Sequence, residues 1–139
     1  MASGSRALKP VLIETYTATA ATVAHVIVIW HATAADNVIV PAAAPDLQIV
    51  GVTMHAAVAG GDIDVCVLGP CILKVDGNAS AIAAGDAIEV HSTAGLGGKL
   101  ALSDGTTLKE IVGVAYEAAS ADNAEISVFV GKNPFLFTA

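Results

Sequence analysis

The sequence predicts an all-β chain, a small antiparallel β-barrel or sandwich of short strands with a flexible N-terminal arm. Three observations carry that expectation. From residue 11 onward, short runs rich in β-branched side chains alternate with clusters of Gly, Asp and Asn, at the spacing of small barrels and sandwiches. No long window shows a 3.6-residue apolar period with caps. Alanine fills 28 of 139 positions and favours helix by propensity, but its runs are short and broken by Gly, Pro or Asp.

Residues 1–10 are small, polar and basic and read as the arm. Strands are predicted over 11–17, 22–31, 47–55, 63–68, 71–76, 87–91, 99–102, 111–117 and 125–130. Turn chemistry separates them at Ala35-Asp36-Asn37, Gly60-Gly61-Asp62, Asp76-Gly77-Asn78, Gly95-Leu96-Gly97-Gly98 and Ser103-Asp104-Gly105. Gly69-Pro70 reads as a hairpin corner, and at most one helical turn is expected, near Ala79 to Ala83. The organisation is therefore an arm (1–10), a single β domain (11–131) and an aromatic tail (132–139).

A small-residue turn, an Asp or Asn and an alternating run ending in Val recur three times, at Ala59–Val65, Ala83–Val90 and Ala121–Val128. The echo is too short and irregular for a solenoid and reads as a repeated hairpin device. The second strand is apolar on both faces, with Val23, Ile27 and Ile29 on one and Val26, Val28 and Trp30 on the other. An antiparallel strand at a surface has one polar face. This strand therefore runs through the centre of the fold, or its outer face packs on another molecule. The tail poses the same alternative, since Phe135 and Phe137 either meet a second subunit or dock on their own domain.

Hydrophobic residues make up 55% of the chain and charged residues 14%, which excludes disorder. Val23 to Trp30 is too short to span a bilayer and contains His25. Met1 to Pro10 has no apolar core, so no signal peptide is expected. Six Lys and Arg against thirteen Asp and Glu give a net charge of -7. With the basic residues scattered, neither direct nucleic-acid binding nor an anionic membrane partner is expected.

Signatures of chemistry are sparse. There is no Gly-x-Ser-x-Gly or His-Glu-x-x-His pattern. Ala94-Gly95-Leu96-Gly97-Gly98-Lys99 lacks phosphate-loop spacing and reads as a hairpin loop. His25 and His31 lie roughly 20 Å apart along an extended strand, too far to share an ion. His55 and His91 end other strands, and Asp62 with Asp64 reads as a solvated acidic edge. Asn78-Ala79-Ser80 matches a glycosylation sequon and reads as a turn. Cys66 and Cys71 are either buried free thiols or a disulfide across a hairpin. No catalytic residue, cofactor or metal site is predicted.

Gly77 to Val90, with Ile82-Ala83-Ala84-Gly85-Asp86 at its centre, resembles a stretch of the capsid cement, or head-decoration, proteins of tailed bacteriophages. Ile111-Val112-Gly113-Val114-Ala115-Tyr116-Glu117 through Val130 is similar to that family's closing segment, and the likeness extends loosely over residues 50–131. Residues 1–50 and the Phe135-Leu136-Phe137 tail have no clear counterpart. The resemblance implies a non-enzymatic virion protein, made in the host bacterial cytoplasm, that binds the major capsid protein on the outer capsid surface. It also implies homotrimers that cement neighbouring capsomers. The alternative is a structural subunit of another phage or shell assembly, such as a tail or major shell component. Arg6 and Lys9 are the expected capsid-facing residues of the arm, and Trp30, Phe135 and Phe137 the expected oligomer or capsid contacts.

Overall fold

The computed structural model describes residues 8–41, 48–91, 95–101 and 109–135. Among them the chain is all-β, with strands β1 (Leu12–Ala18), β2 (Ile27–Trp30), β3 (Asn37–Ile39), β4 (Ile49–Thr53) and β5 (Asp62–Val75). These are followed by β6 (Ala87–Val90), β7 (Gly97–Lys99), β8 (Lys109–Ala115) and β9 (Ala124–Phe135). The ladder order is β1-β3-β2-β4-β5-β7-β6-β8-β9, and β5 pairs in addition with β1 and with β9.

Those two extra pairings close the sheet twice. β1, β3, β2, β4 and the first part of β5 form one ring of five strands. The last part of β5 closes a second ring with β7, β6, β8 and β9. Closure leaves no long free edge among the described strands, which open sheets of this size cannot do. The predicted barrel is thus present twice, joined by a continuous strand.

The rings repeat each other pair for pair. Tyr16 faces Ile63 in the first and Leu73 faces Ile126 in the second. Val52↔Cys66 and Thr53↔Val65 become Val114↔Phe129 and Ala115↔Val128. Val28↔Gly51 becomes Ile88↔Gly113, and Trp30↔Val38 becomes Val90↔Gly97. The repeat is also written in the sequence. Ile49-Val50-Gly51-Val52-Thr53-Met54-His55-Ala56-Ala57 and Ile111-Val112-Gly113-Val114-Ala115-Tyr116-Glu117-Ala118-Ala119 agree at six of nine positions.

The conserved glycine of that pair has a steric cause. A Cβ on Gly51 would lie 2.1 Å from the carbonyl oxygen of Cys66, and one on Gly113 would lie 2.0 Å from that of Phe129. A side chain at either position would push the neighbouring strand away. The ladders are interrupted differently in the two halves: Val50 bulges from β4 against β2, whereas in the β8–β9 ladder the extra residue lies on β9, where Gly131 and Lys132 stand opposite Val112 alone.

Several expectations are corrected. Gly69-Pro70 is not a hairpin corner. β5 runs straight through it, and Leu68 pairs with Leu12 on one side and Gly131 on the other. The long-range ladders to β1 and β9 satisfy more backbone than a local hairpin would. Gly69, at φ 113°, supplies the bend, and a Cβ there would lie 2.4 Å from the Val11 nitrogen. The helical turn near Ala79 to Ala83 is absent. Asp76 Oδ1 accepts from the Asn78 and Ala79 amides to make an Asx turn, and Ile82 bridges Ala119.

The glycine-rich hairpin loop is in part a strand, because Gly97 and Gly98 enter the ladder as β7. A Cβ on Gly97 would lie 2.7 Å from both Ile88 Cγ2 and Leu73 Cδ2, so only glycine lets this strand approach the core. Asn37, read as the end of a turn, opens strand β3, where no strand is predicted from the sequence. The 22–31 strand shortens to Ile27–Trp30, since His25 sits in a turn at φ 65° and Thr22 only bridges Ala57. Its two apolar faces have the first of the two explanations offered above: the strand is central. Val28 points into the first barrel's core with Val38, Ile63 and Val65, while Ile27 and Ile29 join the cluster that includes Leu73, Ile88 and Val128 of the second.

Candidate interaction surfaces

The titratable residues that sequence reading tested for chemistry are occupied in holding turns. His31 Nδ1 accepts from the Thr33 and Ala34 amides at 3.3 and 3.1 Å and shapes the approach to β3. His55 Nε2 accepts from the Asp64 amide at 3.1 Å. Glu117 does the same in the second half, where its Oε1 accepts from the Ser127 amide at 2.9 Å. A histidine and a glutamate at equivalent positions therefore share one structural task. His91 Nε2 lies 3.0 Å from Asp76 Oδ2, on the carboxylate that holds the Asx turn. His25 uses its backbone, its amide donating to Thr53 and its carbonyl accepting from Lys74 of the second half. Among the described residues no group of three His, Cys, Asp or Glu could hold a metal ion.

Asp62 is exposed, while Asp64 accepts a hydrogen bond from Thr15 and lies 3.4 Å from His55, so the acidic edge is partly tied down. The Ala83-Ala84-Gly85-Asp86 motif is also a turn device. Asp86 Oδ2 accepts from the Ala83 amide at 2.8 Å, the Asp86 amide donates back to the Ala83 carbonyl, and Gly85 takes φ 94°.

Cys66 and Cys71 are free, buried thiols. The bend at Gly69 brings them within hydrogen-bond reach, and Cys66 Sγ also donates to the Gly69 carbonyl. The hydrogen bond from Cys71 lowers the Cys66 thiol, while the same bond and burial hold Cys71 far above the ordinary thiol range. Both sulfurs belong to the core that joins the two barrels. Iodoacetamide at neutral pH is expected to leave both unmodified in the folded protein and to label both in urea. Labelling of either in the native state, counted by intact mass, would contradict this burial.

What the surface offers is apolar area. Val11 just before β1 and Leu12 and Ile13 at its start are exposed, and Leu12 pairs with the exposed Leu68 at the waist of β5. Leu68 also pairs with Gly131, so the strand that follows the arm and the strand that leads to the tail flank the same point of β5. Trp30 is 39% exposed and meets Tyr16 edge to face at 5.1 Å. Burial, then the carboxylates of Glu14 and Asp36, raise the Tyr16 phenol above its ordinary value. On the second barrel Val114 and Tyr116 are exposed, and the Tyr116 ring lies 6.4 Å from Phe129.

Of the expected contact residues, Lys9 is exposed ahead of β1 and Trp30 lies at the end of β2. Phe135 closes β9, its backbone paired with Lys109, so the strand runs beyond its predicted end at residue 130. Arg6 and Phe137 lie outside the described residues. Sequence reading missed the apolar start of β1 and the Val114–Tyr116–Phe129 surface. No local signal marked the latter, because Val114 stands where the matching segment has the buried Val52.

No family model matches the chain, and no curated protein matches it. Among solved structures the chain is similar to the head fiber gp8.5 N base of bacteriophage phi29, at 16% sequence identity and a TM-score of 0.59. The match covers 90% of this chain and 98% of that one, so what the two share is a fold across nearly their whole lengths.

Proposed function

We propose that this chain is a non-enzymatic structural protein of a phage virion, seated on the outer capsid surface and cementing neighbouring capsomers through the major capsid protein. The observation that carries the reading is the whole-length likeness to a phage head-fibre base, 90% of one chain on 98% of the other. The order of motifs shared with cement proteins, from Gly77 to Val130, points the same way. So do the apolar strips on the described surface. A net charge of -7 suits an outer shell face better than one lined with DNA.

In this reading the arm with Arg6 and Lys9 reaches the capsid beside the exposed Val11–Ile13 strip. Apolar contact contributes about 25 cal/mol per Å² across a capsomer seam. A homotrimer on a repeating lattice multiplies each weak contact.

Cosedimentation with empty capsids of the phage that encodes the chain tests the reading. Saturable binding is expected, with added density on the outer face in electron micrographs. A variant lacking residues 1–9 is expected to lose binding while its circular dichroism and melting stay unchanged. A folded full-length chain that leaves capsids bare would refute the proposal. Assembly into shells or tubes without capsids would favour the tail or shell subunit instead. Undiminished binding by the shortened chain would remove the arm from the mechanism.

A further inference from the structure

The two halves are built alike but are not covered alike. In the first, the cross-strand row Ile27–Val52–Cys66 faces outward from its own barrel, and all three residues are fully buried. They share one apolar cluster with Leu73, Ile88 and Val128, which line the interior of the second barrel. The outer face of the first barrel thus closes the second, helped by backbone bonds from Lys74 to His25 and from Ile27 to Gly95.

The matching row of the second half is Ala87–Val114–Phe129. Among the described residues no second barrel closes over it as one closes over the first row, and Val114 and Tyr116 are each 41% exposed. The complementary surface is open at its aromatic end, where Trp30 is 39% exposed and Tyr16 half-buried. In the second barrel Leu73 and Val90 are buried inner-face residues, at 0% and 2% exposure. Their counterparts by register are Tyr16 and Trp30, whose rings stand at the corresponding end of the first barrel. The chain therefore carries one half of its internal contact open at each end.

We propose that the chain binds a second copy of itself head to tail. The Tyr16–Trp30 end of one copy seats on the Val114–Tyr116–Phe129 row of the next, repeating between molecules the contact that joins the halves within one. The residue changes between halves fit this use. Val52, Met54 and Cys66 correspond to Val114, Tyr116 and Phe129, and Leu73 and Val90 correspond to Tyr16 and Trp30. Aromatic side chains thus occupy both open surfaces, and protein interfaces are enriched in them. Such a contact is heterologous and closes into a ring or extends as a filament. It does not rest on the virion reading, since self-association is measured without capsids and capsid binding does not require it.

Sedimentation velocity across micromolar to millimolar concentrations reads the contact. The full chain is expected to associate with rising concentration, and Tyr116→Glu and Trp30→Glu are each expected to weaken association by about 30-fold or more. Mixed one to one, the two variants should form a heterodimer that neither forms alone and that grows no further, because each retains one intact surface. A full chain that stays monomeric at about 1 mM would overturn the proposal. So would Trp30→Glu self-associating as the parent does, which would mean that the row pairs with itself. Circular dichroism confirms folding of each variant. Tyr16→Ser takes the place of Trp30→Glu if that variant is unfolded, with the same outcomes.

Discussion

Replacing Gly113 by alanine is expected to destabilise the protein by about 3 kcal/mol, at the upper end of what overpacking costs. The added methyl would lie 2.0 Å from the Phe129 carbonyl oxygen, which is held in a strand and cannot rotate away. Gly51→Ala should cost as much, because its methyl would lie 2.1 Å from the Cys66 carbonyl at the equivalent place in the other barrel. Each should lower the melting temperature by roughly 10 °C in a chain of this length. Gly131→Ala is the control. Among the described residues its methyl would meet only the Phe129 ring, at 3.6 Å, an ordinary contact, and the effect should stay within about 0.5 kcal/mol. Urea unfolding decides the matter, and equal stability for Gly113→Ala and Gly131→Ala would refute the close approach of β8 and β9.

The second large effect is in the core of the second barrel. Leu73 is completely buried, so Leu73→Ala should cost about 3 kcal/mol through lost transfer energy and the cavity left behind. Gly97→Ala is expected to destabilise for the opposite reason, since its methyl would press on Leu73 Cδ2 and Ile88 Cγ2 at 2.7 Å. Together the two changes should cost less than their sum by about 1 kcal/mol or more, because the new methyl enters space that Leu73 vacated. Strict additivity in a double-mutant cycle would show that the two sites do not share that volume.

The all-β class was legible because it depends on local chemistry. Turn residues such as Gly60-Gly61-Asp62 and Ala84-Gly85-Asp86 stand at turns of the structure. The role of Gly69-Pro70 was not legible. A positive φ serves equally well to reverse a strand or to bend one, and only the partners β1 and β9 decide between them. The internal repeat lay in plain view in the Ile49–Ala57 and Ile111–Ala119 segments. The exposed row could not be read from local pattern at all. Val52 and Val114 stand at the same place in the same motif, yet one is covered by the other barrel and one faces outward. Exposure there is a property of what packs on the residue, and the residue itself does not encode it.

The continuous strand β5 also orders events on the ribosome. The five strand segments of the first barrel emerge before those of the second, and once residue 68 is free they contain every partner that ring needs. Until the later strands arrive, Ile27, Val52 and Cys66 have no cover. A nascent chain therefore passes through a stage in which its most apolar outer face is bare, and neighbouring nascent chains on one message are the nearest surfaces it can meet. Delay in translating the second half lengthens that exposure, so translation speed past residue 68 bears on how much chain is lost to exchanged or aggregated forms.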